Sequence, residues 1–115
     1  MTVLVLYGLA NCDTCKKALK ALEDAGRQVT FVNIRGEADL DRKLPAWLAA
    51  AGSERLVNKR STTWRALSPA EQALAVDGNA VDLLIAHPTL IKRPVIERGA
   101  EVFVGWSKDV ASVLT

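Results

Sequence analysis

The chain has 115 residues, of which 50% are hydrophobic and 24% are charged, and its formal net charge is +2. This length suits one compact domain, and the apolar fraction is large enough to form a core, which excludes an intrinsically disordered chain. The mild charge gives no reason to expect direct nucleic-acid binding, and no apolar run is long enough to cross a membrane.

The chain is predicted to open with a strand, a helix and a second strand. TVLVLYG at residues 2–8 is continuously apolar, as in a strand buried on both faces, and it is too short for a secretion signal and lacks a basic leader. QVTFVNI at residues 28–34 forms the second strand, and Gly26 ends the helix between them. Four apolar positions of that helix recur at i, i+3, i+4 and i+7: Cys15, Ala18, Leu19 and Leu22. A β-α-β opening favours parallel pairing of the two strands.

The middle of the chain, from about residue 37 to 90, is predicted to be helical. One helix is indicated by apolar residues at helical spacing, namely Leu40, Leu44, Trp47, Leu48 and Ala51, and it ends at Gly52. A second helix begins after Ser68, which is a suitable N-cap because Pro69 follows it and Glu71 stands three residues later.

The last part of the chain carries a third insertion helix, a hairpin and a final helix. Asn79 is predicted to cap a helix that ends before Pro88. PVIERGAEVFVGW contains two apolar runs around RGAE, which indicates a β-hairpin, and Ser107 is expected to cap a closing helix. This order of elements is that of a thioredoxin-like α/β sandwich with a mixed four-stranded sheet and an inserted helical region. No repeat, low-complexity tract or linker is present, so residues 1–115 are predicted to form a single domain.

Cys12 lies where the first strand turns into the first helix. Free backbone N–H groups and the helix dipole favour a thiolate at such a position, and Lys16 adds positive charge nearby. Because the thiolate is the nucleophilic form of cysteine, Cys12 is predicted to be the reactive residue. Asn11 and Lys16 flank it and are expected to contact a substrate. With no export signal recognised, the reducing cytoplasm is the expected compartment, where a CxxC pair is more often catalytic or metal-binding than structural.

Two interpretations of Cys15 stay open at this point. It continues the apolar stripe of the helix, so it can be a small core residue, or it can be a resolving thiol that attacks a mixed disulfide on Cys12. A metal site is disfavoured because zinc prefers four ligands, and the chain has only these two cysteines and a single histidine, His87.

Two basic stretches are also dense in side chains that can bind anions. NKRSTTWRAL contains Lys59, Arg60 and Arg65, and LIKRPVIE places Lys92 and Arg93 immediately before Pro94. Such clusters are commonly solvated surface. Alternatively, the arginines hold a carboxylate or an oxyanion by paired hydrogen bonds and help to keep Cys12 ionised.

Three segments taken together, YGLANCDTCKKALKALEDAG, RSTTWRALS and PTLIKRPVIERG…VFVGW, resemble the ArsC family of arsenate-reductase-related proteins, and more closely its YffB-type branch of small bacterial proteins. The resemblance covers essentially the whole chain. It implies a thioredoxin-like fold with an inserted helical region, and it implies that Cys12 is the nucleophile. It further implies that Arg60 and Arg93 line the thiol site and that Pro94 is a cis-proline before the third strand.

The resemblance also implies a function, a glutathione-dependent thiol–disulfide oxidoreductase with no bound cofactor and with glutathione as co-substrate. Expected partners are a small thiol, disulfide or oxyanion and glutaredoxin, with neither a membrane nor a nucleic acid among them.

Two departures from the family pattern define the alternatives. True arsenate reductases of this type carry an arginine after the VG of the last strand, where this chain has Trp106, and this argues against arsenate reduction. Cys15 stands where the YffB-type branch usually has an apolar residue. The resulting CxxC resembles Spx-type redox-sensing regulators, which bind RNA polymerase.

Overall fold

A computed structural model describes residues 3–36, 38–76 and 80–115 of the chain. Its strands are β1 (Leu4–Gly8), β2 (Val29–Asn33), β3 (Val95–Arg98) and β4 (Glu101–Val104). Its helices in these ranges are α1 (Asp13–Asp24), α2 (Leu40–Ala51), α3 (Ser53–Leu56), α4 (Thr62–Ala66), α5 (Pro69–Ala73), α6 (Ala80–Ala86) and α7 (Lys108–Leu114). None of these helices is both long and apolar enough to cross a membrane.

The four strands form one mixed sheet in the order β2-β1-β3-β4. β1 pairs with β2 in parallel, as the β-α-β opening predicts, and Leu6 lies opposite Phe31 in that register. β3 runs antiparallel to both β1 and β4, so the predicted hairpin is confirmed. The sheet therefore has β1 in its interior, and the chain passes from the carboxyl end of β1 directly into the loop that carries Cys12.

The chain divides into two compact units, Met1–Ala38 with Arg93–Thr115, and Asp39–Lys92. The first unit contains the sheet, α1 and α7. Its core is an apolar cluster from β1, α1, β3 and α7, made of Leu4, Leu6, Cys15, Ala18, Leu22, Ile96 and Leu114. The predicted stripe of α1 is thus the face that packs into this core, with Leu19 partly buried against it.

The second unit contains α2 to α6, and its buried side chains include the large indole of Trp47, which is fully enclosed. An isolated antiparallel bridge joins Val57 to Ile91. The predicted capping box of α5 is present, because the Ser68 hydroxyl accepts from the Glu71 backbone and the Glu71 carboxylate accepts from the Ser68 N–H. The organisation of residues 1–115 as a single domain stays a prediction.

The differences from the predicted elements are local. Short helices α3 and α4 were not predicted, since four or five residues are too few to show a helical period. The helix expected after Ser68 ends at Ala73 and continues as a 3₁₀ turn, Leu74–Val76. Thr2 of the predicted first strand and the predicted cap Asn79 lie outside the described residues.

Candidate functional site

Cys12 is the N-cap residue of α1, four residues beyond the end of β1. Its backbone N–H donates to the carbonyl of Leu9 at 3.1 Å, and its own carbonyl accepts from the N–H of Lys16 at 3.0 Å. The turn fixes the backbone of Cys12 and leaves its partly buried sulfur available for other partners.

Three groups favour the ionised form of that sulfur. Burial alone would raise the pKa of Cys12, but the backbone N–H of Cys15 and its thiol hydrogen-bond to the Cys12 sulfur. The guanidinium of Arg93 adds a hydrogen bond and an opposite charge, and together these groups hold the pKa of Cys12 below its ordinary value. Cys12 is therefore ionised at lower pH than a free cysteine is.

Cys15 is the opposite kind of thiol, since only 1% of its surface is exposed. Burial raises the pKa of Cys15 to about 12, a contact with the backbone of Leu9 lowers it, and the neighbouring Cys12 sulfur raises it further. Cys15 is consequently protonated near neutral pH, which makes it a hydrogen-bond donor to the Cys12 thiolate. This arrangement is available because Gly8 has no side chain, since a Cβ there would lie 2.5 Å from the Cys15 sulfur.

Arg93 and Pro94 enter the site from the segment before β3. The Arg93–Pro94 peptide bond is cis, as the resemblance implied. The Pro94 carbonyl accepts from the Gly105 N–H at 2.8 Å, which fastens this segment to the end of β4. The structure thus brings Cys12, Cys15 and Arg93 together within the first unit, although about eighty residues separate the cysteines from the arginine.

Asn11 and Lys16 are exposed residues on either side of Cys12. Lys16 lies at a small, largely apolar depression of about 200 Å³ beside the β1–α1 loop, which is also lined by Leu9, Ala10, Cys15, Leu19 and Phe31. The contact of Asn11 and Lys16 with a substrate stays a prediction.

Arg60 belongs to the second unit, where it is exposed and lines a pocket of about 290 Å³. Its predicted role at the thiol stays a prediction. The hydroxyls near it have structural partners. Ser61 caps α4 by accepting from the Trp64 N–H at 3.1 Å, and the Thr63 and Thr89 hydroxyls are 2.8 Å apart.

Trp106 follows Gly105 at the end of the β4 segment and packs, partly buried, against the apolar cluster of the first unit. The position for which the resemblance implies an arginine in true arsenate reductases is occupied here by an indole that packs against the core. His87 lies 3.7 Å from the Glu71 carboxylate in the second unit. Within the described ranges, no group of three or more His, Cys, Asp or Glu side chains could hold a metal ion.

Two residues that neighbour predicted site residues, one in each unit, were not identified in the sequence. Gly8 creates the space for the Cys15 sulfur, and Arg55 lines the same pocket as Arg60. Gly8 gave only a weak signal. It stands directly before the CxxC loop, but it can equally be an ordinary glycine at the end of a strand. Arg55 gave none, since a single exposed arginine in a polar segment has no distinguishing pattern.

The profile of the ArsC family matches residues 7–113. The chain belongs to the ArsC family. Among solved structures, the YFFB (PA3664) protein is 34% identical with a TM-score of 0.87, over 96% of this chain and 97% of that one. This similarity confirms the predicted thioredoxin-like α/β class and the YffB-type resemblance of this ArsC-family protein.

Three other relatives of this ArsC-family protein are described in three different ways. An uncharacterized protein from Haemophilus influenzae is 37% identical, over 92% of this chain and 93% of its own length. An arsenate reductase (ArsC) related protein from Brucella melitensis is 34% identical with a TM-score of 0.76, over 96% and 92% of the two chains. A protein named global transcriptional regulator Spx 2, from Bacillus anthracis, is 26% identical over 93% of this chain and 82% of its own length.

Proposed function

We propose that this ArsC-family protein is a thiol–disulfide oxidoreductase that uses glutathione and has Cys12 as its nucleophile. The observation that carries the proposal is the Cys12 sulfur at the start of α1, hydrogen-bonded by Cys15 and Arg93, with its pKa lowered. A cysteine of this kind reacts with disulfides faster at neutral pH than a free cysteine because more of it is thiolate.

The first step is attack of the Cys12 thiolate on one sulfur of a disulfide. The S–S bond of the substrate breaks, a mixed disulfide forms on Cys12, and the other sulfur leaves as a thiolate that takes a proton from solvent. A glutathione thiolate then attacks the Cys12 sulfur and displaces the substrate half bound there, which takes a proton from solvent and leaves as the second thiol product. A second glutathione attacks the resulting glutathione adduct, which releases oxidised glutathione and restores the Cys12 thiolate.

The surroundings of Cys15 favour glutathione over Cys15 as the resolving thiol. A thiol with a pKa of about 12 carries very little thiolate at pH 7. Formation of the mixed disulfide removes the neighbouring charge on Cys12, but burial, which is the larger cause of the raised pKa, remains. We therefore assign Cys15 to stabilisation of the Cys12 thiolate by hydrogen bonding.

The remaining predicted site residues are assigned to substrate binding. Arg93 already contacts the Cys12 sulfur, and it is proposed to hold a carboxylate of glutathione or of an anionic substrate. Arg60 is also assigned to the binding of such anions. Pro94 shapes the edge of the site beside Arg93, and Asn11 and Lys16 contact the substrate from the α1 side. The cytoplasm is the proposed compartment, because it is reducing, and glutaredoxin is a proposed partner there.

The test is reduction of a small disulfide by glutathione, with glutathione reductase reporting the oxidised product. The Cys12→Ser variant is expected to fall to the uncatalysed rate, while Cys15→Ser, the matched control, retains at least a tenth of the wild-type rate. Retained activity in Cys12→Ser refutes the proposal. Loss of activity in Cys15→Ser, with an intramolecular disulfide in the oxidised wild type, refutes the assignment of resolution to glutathione. Arsenate offered in the same assay is expected to give no rate above background, because Trp106 replaces the third arginine.

A second candidate function is a redox-sensing regulator that binds RNA polymerase. The relative named global transcriptional regulator Spx 2 and the CxxC pair favour it. A pull-down with the oxidised and the reduced protein decides between the candidates, since a regulator binds polymerase in at least one of the two states and the proposed enzyme binds it in neither.

A further inference from the structure

The pocket that contains Arg60 lies wholly within the second unit and is called the basic pocket below. Four cationic side chains line it together with one carboxylate and two other residues: Arg55, Lys59, Arg60 and Lys92, with Glu54, Val57 and Asn58. Its volume is about 290 Å³, which accommodates a small molecule. Four of the fifteen Lys and Arg residues of the chain therefore face one small concave surface.

The cations of the basic pocket have no ion-pair partner among the residues that the structure describes. Across residues 3–36, 38–76 and 80–115, none of the four forms an ion pair, and Glu54 pairs with none of them. The ammonium of Lys59 lies 5.8 Å from the centre of the Trp64 ring, which orients it without neutralising it. Like charges held close together repel each other, and an anion that binds among them removes that repulsion.

The backbone that carries these cations is held in place by hydrogen bonds. The Asn58 N–H donates to the Leu90 carbonyl and the Lys92 N–H donates to the Leu56 carbonyl, both at 2.7 Å. The Asn58 side chain accepts from the Arg60 N–H at 3.1 Å. Because the segments on both sides of the pocket are fastened to each other, the backbone that carries the cations is ordered before any ligand arrives, which lowers the entropic cost of binding.

We propose that the basic pocket binds a small molecule with at least two negative charges, either a phosphate or a dicarboxylate such as the backbone of glutathione. The inference deepens the proposed function, on which its link to thiol chemistry rests, because it adds Arg55, Lys59 and Lys92 to Arg60 as anion ligands. Arginine supplies paired N–H donors to such groups, and lysine supplies a point charge.

The experiment uses the full chain with Cys12→Ser, so that binding is measured without thiol chemistry and its outcome is independent of the proposed enzymatic activity. Inorganic phosphate and S-methylglutathione are titrated separately at low salt by calorimetry. Binding of phosphate alone assigns the pocket to phosphorylated ligands, and binding of S-methylglutathione assigns it to dicarboxylates. Binding of neither probe overturns the proposal.

Variants locate the binding on the protein. Arg55→Gln and Lys92→Gln are each expected to weaken binding by about tenfold, the usual effect of losing one charged hydrogen-bond partner. Arg65→Gln is the matched control, since Arg65 is an exposed cation of the same unit that does not line the pocket, and it is expected to change the affinity less than twofold. Equal affinity in wild type, Arg55→Gln and Lys92→Gln overturns the proposal.

A measurement on the unaltered pocket covers the case in which a variant does not fold. In an NMR titration of the Cys12→Ser protein, backbone amides of residues 54–60 and 92 are expected to shift as the bound probe saturates. Shifts confined to other parts of the chain overturn the proposal.

Discussion

The contact between Gly8 and Cys15 gives the sharpest prediction for the thiol site. A Cβ on Gly8 would lie 2.5 Å from the Cys15 sulfur and 3.2 Å from the Cys15 Cβ, whereas ordinary contacts begin at 3.4 Å. The sulfur cannot withdraw easily, because Cys15 is enclosed in the apolar cluster of the first unit. Gly8→Ala therefore forces the Cys15 thiol away from its position next to the Cys12 sulfur.

Two effects of Gly8→Ala on stability oppose each other. Overpacking of a core costs about 1–3 kcal/mol, while replacing glycine by alanine restricts the unfolded chain and contributes about 0.4–1 kcal/mol in favour of folding. The backbone of Gly8 is not among the positive-φ glycines, so an alanine there causes no backbone strain. The expected net loss is about 1–2 kcal/mol in the free energy of unfolding, measured by urea denaturation under reducing conditions.

The same substitution is expected to slow the chemistry of Cys12. Displacement of the Cys15 thiol weakens its hydrogen bond to the Cys12 sulfur, so the apparent pKa of Cys12 rises and alkylation at pH 7 becomes slower. Cys15→Ala provides the matched background. In that background the sulfur is absent, so Gly8→Ala is expected to lower the free energy of unfolding by less than about 0.5 kcal/mol and to leave the alkylation profile of Cys15→Ala unchanged. Residues in contact typically couple by ~1 kcal/mol, so the difference between the two backgrounds is measurable.

This reasoning is refuted if the effects of Gly8→Ala and Cys15→Ala are additive. If Gly8→Ala changes stability and Cys12 reactivity equally in the wild-type and Cys15→Ala backgrounds, the glycine does not act through the Cys15 sulfur. A Gly8→Ala protein with wild-type stability and an unchanged pH profile would show that the enclosing cluster yields to the added methyl group.

Three further predictions concern charge and capping. Arg93→Gln is expected to shift the midpoint of the Cys12 alkylation profile to higher pH, because the thiolate loses a hydrogen bond and an opposite charge, and an unchanged midpoint contradicts the contact. Because burial raises the pKa of Cys15 from its ordinary value of 9.0 to about 12, its contribution to stability is present below pH 9 and is lost as pH rises from 9 towards 12. Wild type should thus lose more stability than Cys15→Ser between pH 8 and pH 11 in urea denaturation, and parallel losses contradict the burial of an un-ionised thiol. Ser68→Ala removes the cap of α5 and is expected to lower the free energy of unfolding by about 1 kcal/mol, with Ser68→Asp as the conservative control that retains it.

The secondary structure was largely predictable because its signals are local. The stripe of α1, the capping box of Ser68 and Glu71, and the hairpin around RGAE each depend on residues close together in the chain. The short helices α3 and α4 gave no such signal. Each contains about one turn, and tertiary contacts rather than periodicity stabilise turns of that length.

The thiol site, like the secondary structure, was predictable only in part. The position of Cys12 at a strand-to-helix turn follows from the apolar run before it and the helical stripe after it, so the sequence alone distinguished it from Cys15. The sequence could not decide what Cys15 does, because a core residue and a resolving thiol have the same spacing. The burial and the raised pKa of Cys15 favour the interpretation that Cys15 donates a hydrogen bond to the Cys12 thiolate.

By itself, the sequence determined the strands and the longer helices, their β-α-β and hairpin order, and which of the two thiols lies outside the helical stripe, since these depend on period, capping and nearest neighbours. Only the tertiary structure decided that Arg93 contacts the Cys12 sulfur, that Gly8 leaves space for Cys15, and that Arg55 and Lys92 share a pocket. These contacts join residues from separate elements. Their geometry is set by how strands pair and helices pack, and local sequence pattern carries no record of that packing.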